Sequence, residues 1–281
     1  MERIDLPTPG PGEALIRVHA AAITRDELDW PVDRLPATPS YELSGVVSVA
    51  APDVERVRVD DAVFALTPFD RDGVAAEFAV VPAEVLAHKP KTVDHSQAAA
   101  VPMATLSAWQ GLFVHGKLEA GQRVIVHGAA GGVGHLAVQL ALQRAAYVIG
   151  TTSSAAASDL ARSMGAHEVI DSAAIFDRSI DPVDLVFDTV GGAVLARSPE
   201  LLRQGGQMVT IADEPPEGVD AIYFVVEPDG EQLAEVARSV DEGGLLPAID
   251  SVFPLEEFGA AFARSMASGK RGKVVLQVTD D

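Results

Sequence analysis

Gly128, Gly131, Gly132 and Gly134 crowd into the stretch HGAAGGVGH. Before them, Val124, Ile125 and Val126 form a short apolar run of β-branched residues. After them, Val133, Leu136, Ala137, Leu140 and Ala141 recur at helical spacing. Tyr147, Val148 and Ile149 make a second strand-like run. The order is strand, glycine turn, helix, strand. Such a turn aims unpaired backbone N–H groups at whatever sits on the helix N-terminus, and the helix dipole favours an anion there. The chemistry on offer is the holding of a dinucleotide's pyrophosphate, with Ala130, Gly131, Gly132 and Val133 as its lining. The fingerprint GxGxxG is filled by Gly131 and Gly134 in its second and third places, with Ala129 in the first. A tight turn without a ligand is the plainer alternative.

The end of the second strand bears on which dinucleotide fits. An Asp or Glu there would hold a ribose 2′-OH. This chain has Thr151, Thr152, Ser153 and Ser154 instead. Nothing repels a 2′-phosphate and Thr152, Ser153 and Ser154 carry hydroxyls to meet it, so NADPH is expected over NADH.

These elements need a scaffold. Glu168–Ile170, Leu185–Asp188, Gln207–Ile211 and Tyr223–Val226 read as further strands, with helical segments between several of them. That alternation implies an α/β fold, a doubly wound parallel sheet of Rossmann type. The flanks differ. A Pro/Gly loop over residues 7–12 leads into Ala14–His19, whose alternation predicts a half-buried strand. Pro102 interrupts a helical pattern between Ser96 and Leu112. Near the end, a helix from Leu255 to about Ser268 precedes a strand, KVVLQV.

Composition excludes several partners. The formal net charge is −20, with the acidic residues scattered, so neither nucleic acid nor an anionic membrane is expected. The absence of cysteine removes disulfides and thiolate metal sites. The charged, Pro-rich start lacks the apolar stretch of a signal peptide, and a cytoplasmic location is expected. The seven histidines show no metal-ligand spacing.

AAGGVG followed by AVQLA resembles the zinc-independent branch of the medium-chain dehydrogenase/reductase superfamily, which includes quinone oxidoreductases and enoyl reductases. PTPGPGEALIRVHAAAIT resembles the opening of that family's GroES-like catalytic domain, although the sequence starts too late to hold an extra leading strand usual in the family: either the start is trimmed or the domain is abbreviated. A sheet edge left open in this way would be covered by a second copy, and a homodimer is expected. The resemblance implies a discontinuous GroES-like domain, mainly β and N-terminally abbreviated, from residues 1–102 and 247–281. Residues 103–246 would form the nucleotide domain, with a ligand cleft between the two.

Zinc-dependent relatives place a cysteine ligand where Thr24 stands and a histidine where Tyr41 stands in PSYELSGVV, with Glu42 retained; the third ligand position falls near Met103. Thr, Tyr and Met do not make a zinc site, so no metal is expected. The resemblance turns Tyr41 and Thr24 toward the hydride-delivery cleft, where either could donate a hydrogen bond to a substrate carbonyl. Tyr41 could equally be a packed ring with one capped hydroxyl. Glu27 and Trp30 would share that cleft. Ser107 matches a family hydroxyl that faces the nicotinamide; a Ser bonded back to its own helix is the alternative. Val190, in TVGG, and Phe224 and Val226 match segments running along the cofactor. Two family features are absent: Ala157 stands where NADPH-binding relatives commonly have a Lys, and Ser172 where they often have a Tyr. The implied activity is an NADPH-dependent, zinc-free hydride transfer to a quinone or α,β-unsaturated carbonyl, a small-molecule substrate. The alternatives are a repurposed, redox-inactive member (cyclase, isomerase or binding protein) and a structural subunit of a larger assembly.

Overall fold

The computed structural model describes residues 2–25, 27–30 and 37–279. In chain order, the first part supplies strands β1 (Glu13–Ile23), β2 (Glu42–Ala50), β3 (Ala62–Leu66), β4 (Phe78–Pro82) and β5 (Ala87–His88), then helices α1 (His95–Ala99) and α2 (Pro102–Trp109). Strands and helices then alternate: β6 (Arg123–His127), α3 (Gly134–Gln143), β7 (Tyr147–Thr152), α4 (Ala155–Ser163), β8 (Glu168–Asp171), β9 (Val183–Asp188), α5 (Gly192–Arg197), β10 (Leu202–Thr210) and β11 (Ile222–Tyr223). The chain closes with α6 (Gly230–Asp241), β12 (Ile249–Pro254), α7 (Phe258–Met266) and β13 (Lys273–Gln277).

The chain divides into two compact units. One comprises Met1–Met103, Glu227–Gly243 and Pro247–Asp281; the other comprises Ala104–Val226 and Gly244–Leu246. The expected boundaries need one correction. Residues 227–243, assigned from sequence to the nucleotide domain, belong to the GroES-like unit. The reason is local: Asp241, at the end of α6, accepts from both the backbone N–H (2.9 Å) and Oγ1 (3.0 Å) of Thr92. At the helix start, a Cβ on Gly230 would lie 2.4 Å from the Glu84 carbonyl oxygen.

The GroES-like unit is built on a seven-stranded sheet in the order β12-β13-β1-β2-β3-β5, with β4 paired to β1. β1 bonds along its edges to β13, β2 and β4, and from Val18 onward it is buried on both faces rather than half-buried as its alternation suggests, because Val18, Ala21 and Ile23 lie in the main core while Ala20 and Ala22 pack with Ala99 of α1. Ile16, Val18, Leu43, Val63, Val81 and Leu276 form part of the core. Asp94 and Gln97 cap the start of α1 reciprocally. Pro102 opens α2, where its missing N–H costs nothing.

The second unit is a six-stranded, all-parallel sheet in the order β11-β10-β9-β6-β7-β8. Ile125, Ile149, Val186, Leu195 and Met208 lie in its core. The chain moves outward from β6 in both directions, so the point where the order reverses lies between β6 and β9. Ligands of such sheets bind beyond the carboxyl ends of the strands at that point. His127 ends β6 and Asp188 ends β9.

Candidate active site

The glycine turn follows His127 directly. Gly131 donates its N–H to the Gly128 carbonyl at 2.8 Å, and Ala129 donates to the Thr151 carbonyl at 3.0 Å. A Cβ on Gly134 would lie 2.1 Å from that same Gly128 oxygen, so only glycine lets α3 start this close to the turn. α3 has no side-chain cap. Among the described residues, the amides of Gly132, Val133 and Gly134 have no partner, and Gly132 and Val133 are partly exposed. These free donors at an uncapped helix start fit a diphosphate. Val190 joins the turn: its Cγ2 would be 3.0 Å from a Cβ on Gly128, and the side chain is half exposed.

Two buried polar groups hold the turn from below, and sequence reasoning gave them no role. Ser198 Oγ donates to the Val194 carbonyl (2.7 Å), so it accepts from His127 Nε2–H (3.1 Å). His127 Nδ1 therefore accepts from Thr151 Oγ1 (3.0 Å). Burial pushes the imidazole down to about 4, which keeps it neutral. Asp188 accepts from Thr210 Oγ1 (2.9 Å) and from the amides of Val190 (3.1 Å) and Gly191 (3.0 Å). Those bonds set the course of the Val190 loop, while burial pushes the carboxyl upward. A His and an Asp at the ends of apolar strands were the only available signals.

At the end of β7 the hydroxyls are not equivalent. Ser158 Oγ donates to the Ser154 carbonyl (3.0 Å), so the 2.7 Å bond between Thr152 Oγ1 and Ser158 Oγ uses the Thr152 proton. Thr152 is thus spent internally, against expectation. Ser154 Oγ accepts from Ala157 N–H and keeps its own proton, and Ser153 is exposed. Arg162, the cation in this part of the chain, pairs with Asp159 at 3.3 Å.

Ser107 lies on α2, 4% exposed, and makes no hydrogen bond among the described residues, so it is not bonded back to its own helix. Ala130 and Val226 are buried. The Phe224 ring sits on His115, centroids 4.4 Å apart.

The GroES-like unit holds a buried polar cluster. Thr24 Oγ1 lies 3.0 Å from Met103 Sδ, so two of the three former ligand positions do meet in space. Lys273 Nζ donates to Thr24 Oγ1 (3.1 Å) and forms an ion pair with Glu42. Glu42 also accepts from the Met103 amide at 3.0 Å. Burial pushes its carboxyl up, and the Lys273 ammonium pulls it back. Glu27 accepts from the Thr24 amide at 2.9 Å, its other oxygen has no hydrogen bond, and burial pushes it up to about 7. Tyr41 is 1% exposed; its ring packs on Trp30 (5.7 Å) and Phe69 (5.2 Å). A hydroxyl, a thioether and a phenol beside an ammonium do not fit zinc. Sequence reasoning placed Thr24, Tyr41 and Met103 but missed Lys273, whose partners lie far from it in the chain.

A parallel nucleotide sheet with a phosphate-cradling turn, joined to a GroES-like unit, defines a dinucleotide-dependent oxidoreductase scaffold. Residues 10–91 match the alcohol dehydrogenase GroES-like domain and residues 164–276 match the zinc-binding dehydrogenase domain. The chain is 33% identical over 97% of its length to a probable zinc-binding mitochondrial oxidoreductase of Arthroderma benhamiae, covering 91% of that protein. It is 31% identical over 94% of its length to the chloroplastic NADPH-dependent alkenal/one oxidoreductase of Arabidopsis thaliana, covering 71% of it. Among solved structures, the quinone oxidoreductase of Coxiella burnetii superposes with a TM-score of 0.91 at 29% identity, over 98% of this chain and 93% of that one. The chain belongs to the medium-chain dehydrogenase/reductase superfamily and is an oxidoreductase of that superfamily.

Proposed function

We propose that the chain is an NADPH-dependent reductase that passes a hydride to a quinone or to an alkene conjugated to a carbonyl, without a metal. The observation that carries this reading is the glycine turn, with three amides free for a diphosphate, beside a strand end that offers hydroxyls and no carboxylate. NADPH supplies the hydride when bound. Ser153 and Ser154 donate to its 2′-phosphate, together with the first amides of α4. The free Ser107 hydroxyl serves the nicotinamide end. Thr24, backed by the Lys273 ammonium, holds the carbonyl oxygen as negative charge develops on it. The donor set around Thr24 and Met103 supports the metal-free reading, and the names of the Arabidopsis and Coxiella proteins support the substrate class.

A second reading, a repurposed nucleotide-binding member of the fold, has one observation behind it. Thr24, Lys273 and Glu42 bond to one another, and Tyr41 is buried. Fluorescence titration with NADPH and NADH, followed by assays of NADPH consumption with quinones and enones, separates the two. Selective NADPH binding with turnover supports the reductase, and binding without turnover on any acceptor supports the alternative.

A further inference from the structure

Thr24, Glu27, Glu42, Met103 and Lys273 form one cluster in the GroES-like unit, and of these side chains only Thr24 is not buried. Thr24 is fixed from two sides. Its amide donates to Glu27 Oε2 (2.9 Å). The register of β1 and β13, which pairs Ile23 with Val274, continues by one residue and sets Thr24 opposite Lys273. Lys273 is fixed in turn. Its backbone N–H donates to the Ala248 carbonyl (2.9 Å), and a Cβ on Gly272 would lie 2.0 Å from that oxygen, so the chain passes there only as glycine.

The hydrogen bonds give the Thr24 hydroxyl a direction. An ammonium only donates, so Oγ1 accepts from Lys273 Nζ at 3.1 Å. The hydroxyl's own proton must point elsewhere. Its nearest acceptor is Met103 Sδ at 3.0 Å, a thioether and therefore a weak one. Glu42 Oε1 lies at 3.5 Å and is already paired with Lys273. Glu42 Oε2 accepts from the Met103 amide (3.0 Å), which keeps the carboxylate in place. Lys273 has its counter-ion in Glu42, so charge balance does not require the hydroxyl. A half-buried hydroxyl that accepts from a buried ammonium and spends its own proton on sulfur is a proton relay at rest. Any stronger acceptor that meets its exposed side takes that proton's bond.

We propose that Thr24 and Lys273 are the proton relay of the reaction: Lys273 supplies, through Thr24 Oγ1, the proton that the reduced substrate takes up. Hydride addition to the β-carbon of an enone leaves an electron pair on the carbonyl oxygen. That oxygen displaces Met103 Sδ as the acceptor of the Thr24 hydroxyl. The O–H bond of Thr24 breaks toward the enolate, and an N–H bond of Lys273 breaks toward Thr24 Oγ1. Lys273 is left as a neutral amine beside the Glu42 carboxylate. The enol leaves and reverts to the carbonyl in water, and a proton from water recharges Lys273 by the same route. One hydride and one proton are consumed in each turnover. Thr24 touches the substrate, Lys273 acts through it, and Glu27 and Glu42 position the two. This assignment deepens the reductase reading and rests on it for the substrate, but the path from Lys273 to water is a property of the free protein.

The first test needs no turnover. Nuclear magnetic resonance on the full chain with nitrogen-15-labelled lysine reads the exchange of the Lys273 ammonium protons with water. The Lys273 signal is assigned by its loss in the Lys273→Met, Glu42→Leu double variant. Exchange should slow about tenfold in Thr24→Val, which removes the outlet, and stay close to wild type in Thr24→Ser, which keeps it. The second test uses NADPH with cyclohexenone and with benzoquinone. Thr24→Val and Lys273→Arg should each lose about 100-fold in kcat, with the acceptor KM little changed and a larger solvent deuterium isotope effect. Lys273→Arg separates proton from charge, because a guanidinium keeps the charge and the donors but does not give up a proton. If it does not fold, the double variant takes its place, with the same loss expected. Native kcat in whichever of the two is folded overturns the relay, as does unchanged ammonium exchange in Thr24→Val, even where both acceptors are reduced. Where the wild type reduces neither acceptor, the reductase reading fails, and the exchange rates alone decide whether Thr24 is the outlet for the Lys273 proton.

Discussion

Lys273 and Glu42 form an ion pair inside the GroES-like unit, with side chains 5% and 0% exposed. Their positions in the chain are 231 apart, and the antiparallel pairings of β1 with β2 and of β1 with β13 bring them together. Desolvating both charges costs several kcal/mol each, so the pair is a weak source of stability as long as it is intact. Removing one member is different. Lys273→Met leaves Glu42 buried without a counter-ion and should cost about 3–5 kcal/mol. Lys273→Met with Glu42→Leu should recover much of that loss. Urea denaturation of the three proteins checks it, and a double variant as unstable as the single one contradicts this account.

Gly132→Asp should abolish NADPH binding in a folded protein. Its carboxylate would face the diphosphate, and the amides of Gly132, Val133 and Gly134 are the free donors there. Fluorescence titration beside a circular dichroism spectrum is the check, and native affinity would move the nucleotide site elsewhere.

Ser107→Ala should weaken NADPH several-fold and leave the melting temperature unchanged. Among the described residues the hydroxyl has no partner, so its loss breaks no bond there. A drop in melting temperature with unaltered affinity would make Ser107 structural.

The dependence of stability on pH contains two opposed contributions. His127 is pushed down to about 4 from 6.5. The unfolded chain therefore takes up its proton first, and stability falls as pH drops from about 6.5 to about 4, by about 3 kcal/mol in full. Glu27 is raised to about 7 from 4.5. Its contribution is complete below pH 4.5 and is lost as pH rises toward 7. Between pH 4.5 and 6.5 the two slopes cancel in large part. His127→Gln should therefore grow more stable toward acid across that window relative to wild type, and Glu27→Gln should do the reverse. Parallel curves for all three proteins, from urea denaturation at closely spaced pH values, would contradict both assignments.

The nucleotide unit was legible in the sequence because its determinants are local. A β-branched run, a glycine turn and a 3.6-residue period report strand, turn and helix within about thirty residues, and repetition of that unit dictates a parallel sheet. The turn over Ala130 to Val133 is recognisable from these local signals, although His127 below it is held by Thr151 and Ser198. The edge strand was harder: Tyr223–Val226 reads as a strand, yet only Ile222–Tyr223 pair. β1 misled for the same reason, since its alternation could not say that Ala20 and Ala22 would be buried with Ala99 of α1 while Val18, Ala21 and Ile23 lie in the main core.

What only the tertiary structure decided are the groups whose partners lie far along the chain. α6 reads as one more helix of the nucleotide domain until Thr92 is seen to hold Asp241. Thr152 reads as a phosphate donor until Ser158 takes its proton. Lys273 reads as the first residue of a strand, and it becomes a buried cation only when the sheet sets it opposite Thr24 and beside Glu42. Periodicity and turn chemistry act over a few residues and can be read in one dimension. A hydrogen-bond inventory and a charge balance depend on which distant groups share a space, and that is settled only when the chain has closed on itself.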